Sequence, residues 1–234
     1  MKKVVVGTPS LTGQVQAEYV ESLVETIRVG SKSGLEIYPI LLSYESVLPQ
    51  ARNEIFKIAF GAEADALVFI DADMAWSPSA FLKVVQAEQD VIGLPYPKKS
   101  DQPAFESNLI WDSLELSGDL LKVRATGTGF LKLSRNALTQ LWENSQSLLF
   151  RGKILKNVFE YATPQPLIDD STNCPEDALA FMGEDIHLCA KLTALGFDIW
   201  VDTSSTCHHI GTKSWYYNFS DFVKMVQNNL NTSS

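Results

Sequence analysis

Within the first hundred residues, four apolar runs of strand length alternate with stretches of helical spacing. The first run, "KVVVGTPS", is broken by Gly7 and Pro9. Val15, Tyr19, Leu23 and Ile27 then recur at four-residue steps and predict a helix over roughly 14–29. "LEIYPILLS" reads as a second strand, with Pro39 marking an edge position or a bulge. A helix over about 50–63 follows, with Ile55, Ile58, Ala59 and Ala62 expected inward. After the third strand, "ALVFID", Ser77-Pro78 supplies a hydroxyl cap and a proline at the first helical position. That helix should carry Phe81, Leu82, Val84 and Val85 to about residue 89, before "DVIGLPYP" forms the fourth strand. Such alternation predicts an α/β fold with a mostly parallel central sheet flanked by helices.

Beyond residue 100 the character changes. "SLELSGDLLKV" reads as a hairpin around Ser117-Gly118-Asp119, and "ATGTGFLKLS" as a further strand. Ser134 caps a helix bearing Leu138, Leu141 and Trp142. Residues 150–182 are rich in Pro and Asp without a clear period, so a long loop acting as a lid or acceptor wall is expected there. A helix from about Gly183 should end at Gly196 as a left-handed cap, with "FDIWVD" a strand and 219–229 a last helix. No linker or repeat divides the chain, and 234 residues suit a single domain.

The balance of 19 basic against 28 acidic residues gives a net charge of −9. That argues against a sequence-independent grip on nucleic acid, which depends on Lys and Arg at phosphates. Cys174, Cys189 and Cys207 are odd in number and scattered, so no disulfide framework is expected and a reducing cytoplasmic compartment is favoured. The N-terminal apolar run is too short for a signal peptide, and no stretch approaches the roughly 20 apolar residues of a membrane helix.

Three clusters sit at predicted element ends. Asp71 and Asp73 follow the third strand, where open α/β sheets bind ligands. Either they cap a solvated turn, or, pointing to one side of an extended segment, they hold a divalent ion such as Mn2+ or Mg2+. Glu184 and Asp185 open a helix, where acidic residues complement the dipole or one serves as a general base beside Gly183. His208 and His209 precede Ile210-Gly211. Neighbours in an extended segment point opposite ways, so one of them is a metal-ligand candidate, while His187 is a neighbour on its helix.

In order, "ARNEIFKIAF…ADALVFIDADMAWSP", "DVIGLPYPKK", "GTGFLKLSRNAL", "GEDIHLCAKLTALGFDIWVD" and "CHHIG" resemble the GT-A-fold glycosyltransferases, closest to short single-domain bacterial, phage and viral enzymes. The resemblance covers roughly 4–98 and 126–212 and is poor over 100–125 and 145–180. It implies a nucleotide-binding half at 1–100 and an acceptor-binding half at 101–234. Asp71 and Asp73 match the family's Asp-x-Asp motif, for ribose and metal. His209 matches the late metal-binding histidine, with His208 as fallback. Thr8 and Pro9 match the stretch beside the base, Arg52 and Asn53 a pair that contacts nucleotide or sugar, and Lys213 and Trp215 a loop over the diphosphate. Glu184 and Asp185 match the acidic pair at the acceptor hydroxyl, Asp185 being the expected base. The implied partners are a nucleoside-diphosphate sugar, most often a UDP-sugar, and a glycan or other hydroxyl acceptor, the acidic charge disfavouring nucleic acid.

Trp111, Tyr161, Trp215, Tyr216 and Tyr217 are available for stacking on a sugar. A phosphatase of the haloacid-dehalogenase kind also uses Asp-x-Asp, but normally on the first strand and followed by Thr or Val. Here the motif is on the third and followed by Met74-Ala75. A nucleotidyltransferase is conceivable, but "GTPSLTG" is not a phosphate-binding Walker pattern. A binding module without catalysis would not need Glu184 and Asp185.

Overall fold

The computed structural model describes every residue except 102, 106–107, 110–114, 167–178 and 233–234. In the first half it places β1 (Lys2–Ser10), α1 (Ala17–Lys32), β2 (Leu35–Ser43), α2 (Leu48–Gly61), β3 (Ala66–Ile70), β4 (Met74–Ala75), α3 (Pro78–Gln86) and β5 (Val91–Gly93). There follow β6 (Asn108–Leu109), β7 (Leu116–Ser117), β8 (Leu120–Ala125), β9 (Phe130–Ser134), α4 (Arg135–Asn144), β10 (Ser147–Phe150), β11 (Lys153–Lys156), β12 (Ala162–Pro166) and β13 (Leu179–Met182). The chain ends with α5 (Glu184–Ala194), β14 (Ile199–Asp202), β15 (His208–Ile210), β16 (Ser214–Trp215) and α6 (Phe219–Thr232).

A nine-stranded sheet in the order β2-β1-β3-β9-β5-β14-β8-β6, with β7 also on β8, forms the centre. Parallel pairing joins β1 to β2 and β3, and β14 to β5, whereas β9 and β8 run against their neighbours. The sheet is therefore mostly parallel in strand direction. β9, from the second half of the sequence, lies between β3 and β5 and pairs with both. Pro39 lies on β2, the edge strand, where a missing N–H costs no ladder bond.

Alternation along β1 assigns its two faces. Val4 and Val6 join Tyr19 and Leu23 of α1 and Phe81, Val84 and Val85 of α3 in one apolar layer. Val5 joins Ile55 and Phe56 of α2, Leu138 of α4, Leu188 of α5 and Phe219 of α6 in the other. The α2 face differs from expectation: Ile55, Phe56 and Ala59 are buried, but Ile58 is exposed and Ala62 lies beyond the helix. Arg52 lies one turn before Phe56, so the buried stripe runs 52, 55, 56, 59 and turns Ile58 outward.

Local signals set the ends of several elements. Ser77 and Ser134 accept from the N–H groups of Ala80 and Ala137 and start α3 and α4. At the end of α5, Gly196 has φ 87°, its N–H bonds Thr193, and Phe197 N–H bonds the Leu192 carbonyl. These are the two bonds of a left-handed helix stop. The hairpin expected at 117–119 forms between β7 and β8 with Gly118 at φ 60°. Within 150–182, expected to be loop, β10 and β11 form a hairpin turning through Arg151 and Gly152, and β12 pairs with β13. Residues 167–178 of that stretch, with Cys174, lie outside the described residues, as does Trp111. Cys189 and Cys207 are free and buried, and burial pushes the Cys189 thiol up to about 12. Among the described residues no helix is long and apolar enough to cross a membrane.

Candidate metal and nucleotide site

The chain leaves β3 at Ile70 and turns at once: Met74 N–H bonds the Asp71 carbonyl at 3.1 Å, while Asp71 N–H bonds the Gly129 carbonyl. Asp71 and Asp73 therefore sit in a tight turn, not in the extended segment expected. The turn separates their roles. The Asp71 carboxylate faces Arg52 at 3.1 Å, and the Asp73 carboxylate faces Lys99 and His209. Both still line one cleft of about 500 Å³ with Pro9, Gln14, Gln16 and Arg52.

His209 reaches Asp73 through strand pairing. β15 runs antiparallel to β4, with His209 opposite Met74 and His208 opposite Ala75. Ile210 N–H bonds the Asp73 carbonyl at 2.8 Å, fixing the register. His209 Nε2 then lies 3.4 Å from Asp73 Oδ2, its ring edge-on to Tyr96. Its Nδ1 is 2.8 Å from the Pro97 carbonyl. A carbonyl only accepts, so Nδ1 carries the hydrogen and Nε2 is left facing a carboxylate. Two electron-rich atoms so placed need a proton or a cation in common, and an N–H held by a backbone carbonyl is the arrangement found behind metal-bound imidazoles.

His208 points the other way, as adjacent strand residues do. Its ring stacks on Tyr216 at 4.4 Å, and its Nδ1 contacts Ser214. Burial lowers its pKa. It borders a separate polar cleft with Trp76 and Ser204, so the fallback ligand is on the wrong side of β15 to share Asp73.

Lys99 places Nζ 2.6 Å from Asp73 Oδ2. Burial alone would raise the Asp73 carboxyl, but a proton shared with His209 and the hydrogen bond from Lys99 outweigh it and bring it down to about 2. Lys99 joins the candidate site although no local sequence signal marks it. It stood within "PYPKK", and only the approach of the loop after β5 to the β3 turn gives it a role.

Arg52 is 3% exposed and donates to both Asp71 and Glu184. Burial would lower its pKa, but the two carboxylates offset this and raise it. Glu184 is therefore engaged as a buried ion-pair partner, not presented as a free carboxylate. Asp185, next to it in the first turn of α5, is half-buried and accepts from Ile186 N–H at 2.7 Å. A side chain at Gly183 would come within 2.9 Å of that carboxylate, so the glycine leaves room for it.

Two expected ligand contacts, Asn53 and Thr8, are turned to other partners. Asn53 is fully buried, donating to the Phe159 carbonyl and accepting from Val158 and Phe159 N–H, so its amide is consumed in holding the 158–159 backbone. Thr8 is on the α1 face of β1, fully buried against the Tyr19 hydroxyl, whereas Pro9 borders the cleft. Lys213 is paired with Asp101 and lies over the Trp215 ring at 5.4 Å. Of the aromatic residues, Tyr161 and Tyr216 are exposed, while the Tyr217 hydroxyl donates to the Ser100 carbonyl. Among the described residues no three His, Cys, Asp or Glu side chains converge into a metal cage, and Asp71 is turned to Arg52.

No protein-family model matches the sequence, and no curated protein matches it either. Solved structures do. A197 from STIV is similar over 90% of this chain and 86% of its own, with a TM-score of 0.54 and 16% identity. A Drosophila β-1,4-galactosyltransferase 7 variant, in complex with manganese, UDP-Gal and xylobiose, covers 95% of this chain and 79% of its own, with a TM-score of 0.48 and 10% identity. The inositol-1-phosphate CTP transferase from T. maritima covers 90% and 89%, with a TM-score of 0.44 and 11% identity. The likeness to A197 shows the fold alone, a GT-A-like α/β domain.

Proposed function

We propose that this protein is a metal-dependent glycosyltransferase that moves a sugar from a nucleoside-diphosphate sugar, a UDP-sugar first among them, to a hydroxyl on a glycan or similar acceptor. The observation that carries this reading is the facing pair of Asp73 and His209 at the lip of the Pro9–Arg52–Asp71 cleft. Carboxylate oxygen with one imidazole suits Mn2+ or Mg2+, so Asp73 and His209 would hold such an ion. Bound there, such an ion supplies Lewis-acid stabilisation of the departing diphosphate.

The chain's own residues divide the remaining work. The acceptor oxygen attacks the anomeric carbon, the bond from that carbon to the diphosphate oxygen breaks, and the acceptor proton passes to Asp185. A base opposite the leaving group inverts the anomeric centre. Glu184 and Asp71 are held by Arg52, which ties the first turn of α5 to the tip of β3 and so fixes the base relative to the donor site. Pro9 and the 10–16 loop border the cleft for the nucleotide. Residues 1–100 serve the donor and 101–234 the acceptor, with Tyr161 an exposed ring for stacking on a sugar.

The test is turnover of UDP-sugars with and without MnCl2. Asp73→Asn should lower Mn2+-dependent sugar release by about 100-fold or more while the protein stays folded. Full turnover in Asp73→Asn, or phosphate release from an aryl phosphate in place of sugar transfer, contradicts the proposal.

A further inference from the structure

The Lys99–Asp73 contact has a consequence for how a cation enters the site, and it rests on the metal reading proposed above. The Asp73 charge is answered within the chain: the Lys99 ammonium is 2.6 Å from the oxygen that also faces His209. Asp71 is answered likewise, by Arg52. Counting Arg52 and Lys99 against Asp71, Asp73 and Glu184, with His209 neutral, leaves the cluster with a net charge of only −1. Such a site attracts a bare divalent ion weakly, and one of its oxygens already carries a positive neighbour.

A nucleoside diphosphate reverses that balance. It brings negative charge and phosphate oxygens, so the ion gains ligands and the lysine gains a new partner. Lys99 is suited to change partners. Its side chain is 37% exposed on the loop after β5 and swings without leaving a buried charge behind. Arg52, by contrast, is buried and held on two sides.

We propose that Lys99 is a resident counter-ion that a divalent cation must displace from Asp73, and that its ammonium then passes to the incoming diphosphate. Cation and nucleotide therefore bind as a coupled pair, each strengthening the other. Lys99 opposes the first and favours the second.

The two effects have opposite signs, which makes the proposal testable by binding alone. Calorimetric titration of MnCl2 into the nucleotide-free protein, then of UDP at saturating Mn2+, should be run on wild type, Lys99→Met and Lys99→Arg. Lys99→Met should bind Mn2+ alone about tenfold more tightly and UDP–Mn2+ about tenfold more weakly, an order of magnitude in keeping with a unit charge at close range in a half-exposed site. Lys99→Arg keeps the charge and should return both affinities toward wild type. Equal Mn2+ affinity in wild type and Lys99→Met, with binding abolished in each by Asp73→Asn, overturns the displacement proposal and leaves the metal site standing. Absence of Mn2+ binding in every variant, with and without UDP, overturns both. Thermal unfolding of each variant confirms that folded protein is being compared.

Discussion

Single side chains here have destinations that their types do not announce. Asn53 stands beside Arg52 in "ARNEIF" and invites a role at the ligand, yet its amide closes three bonds to the 158–159 backbone. Asn53→Ala should therefore cost at least about 3 kcal/mol in urea unfolding, because two buried N–H groups and a carbonyl lose their partner at about 1–3 kcal/mol each. UDP affinity of the folded fraction should be unchanged. A stable Asn53→Ala protein that has lost UDP binding would restore the nucleotide role. The residues whose positions were legible are those fixed by local chemistry: Asp71 and Asp73 at a strand end, Ser77 and Ser134 at helix starts, Gly196 at a helix stop. Partners separated by long stretches of sequence were not, which is why Lys99 and the Arg52–Glu184 pair emerged only in three dimensions.

Elements were readable where burial is one-sided or complete. The apolar run of β3 and the four-residue steps of α1 follow from period alone. The short strands β4, β15 and β16 have no such signature, since each is two or three residues of mixed character. They form because the turn after β3 presents an open edge, and they bring His209 to Asp73. Support for that small sheet comes from Tyr96, whose ring lies edge-on to His209 and whose hydroxyl accepts from Gly129 N–H at 3.2 Å. A side chain at Gly129 would meet Tyr96 ring atoms at 2.6 Å and the Met74 methyl at 2.8 Å. Gly129→Ala should therefore push Tyr96 off His209 and weaken UDP–Mn2+ binding by roughly tenfold, beyond its cost of about 1–3 kcal/mol in stability from overpacking. Wild-type affinity in a destabilised Gly129→Ala would show that Tyr96 does not set the His209 position.

At the scale of the molecule, the alternation of strands and helices specified an α/β sheet, and the structure has one. Its order was not legible, because β9 and β14 enter the sheet beside β5 from far along the chain, and no local pattern encodes which edge they join. That crossing of sequence halves explains the site: the loop after β5 and β15 reach the cleft-lining Asp73 through Lys99 and His209, and the first turn of α5 reaches the cleft-lining Arg52 through Glu184. Sugar transfer here requires a cation shared by the β3 turn and β15. Anomalous difference density at the manganese edge, from crystals grown with MnCl2 and UDP, tests this directly. A peak is expected within coordination distance of Asp73 Oδ2 and His209 Nε2, with Lys99 turned away from Asp73. A peak at other residues, or UDP bound in the cleft with no metal at that pair, would contradict it.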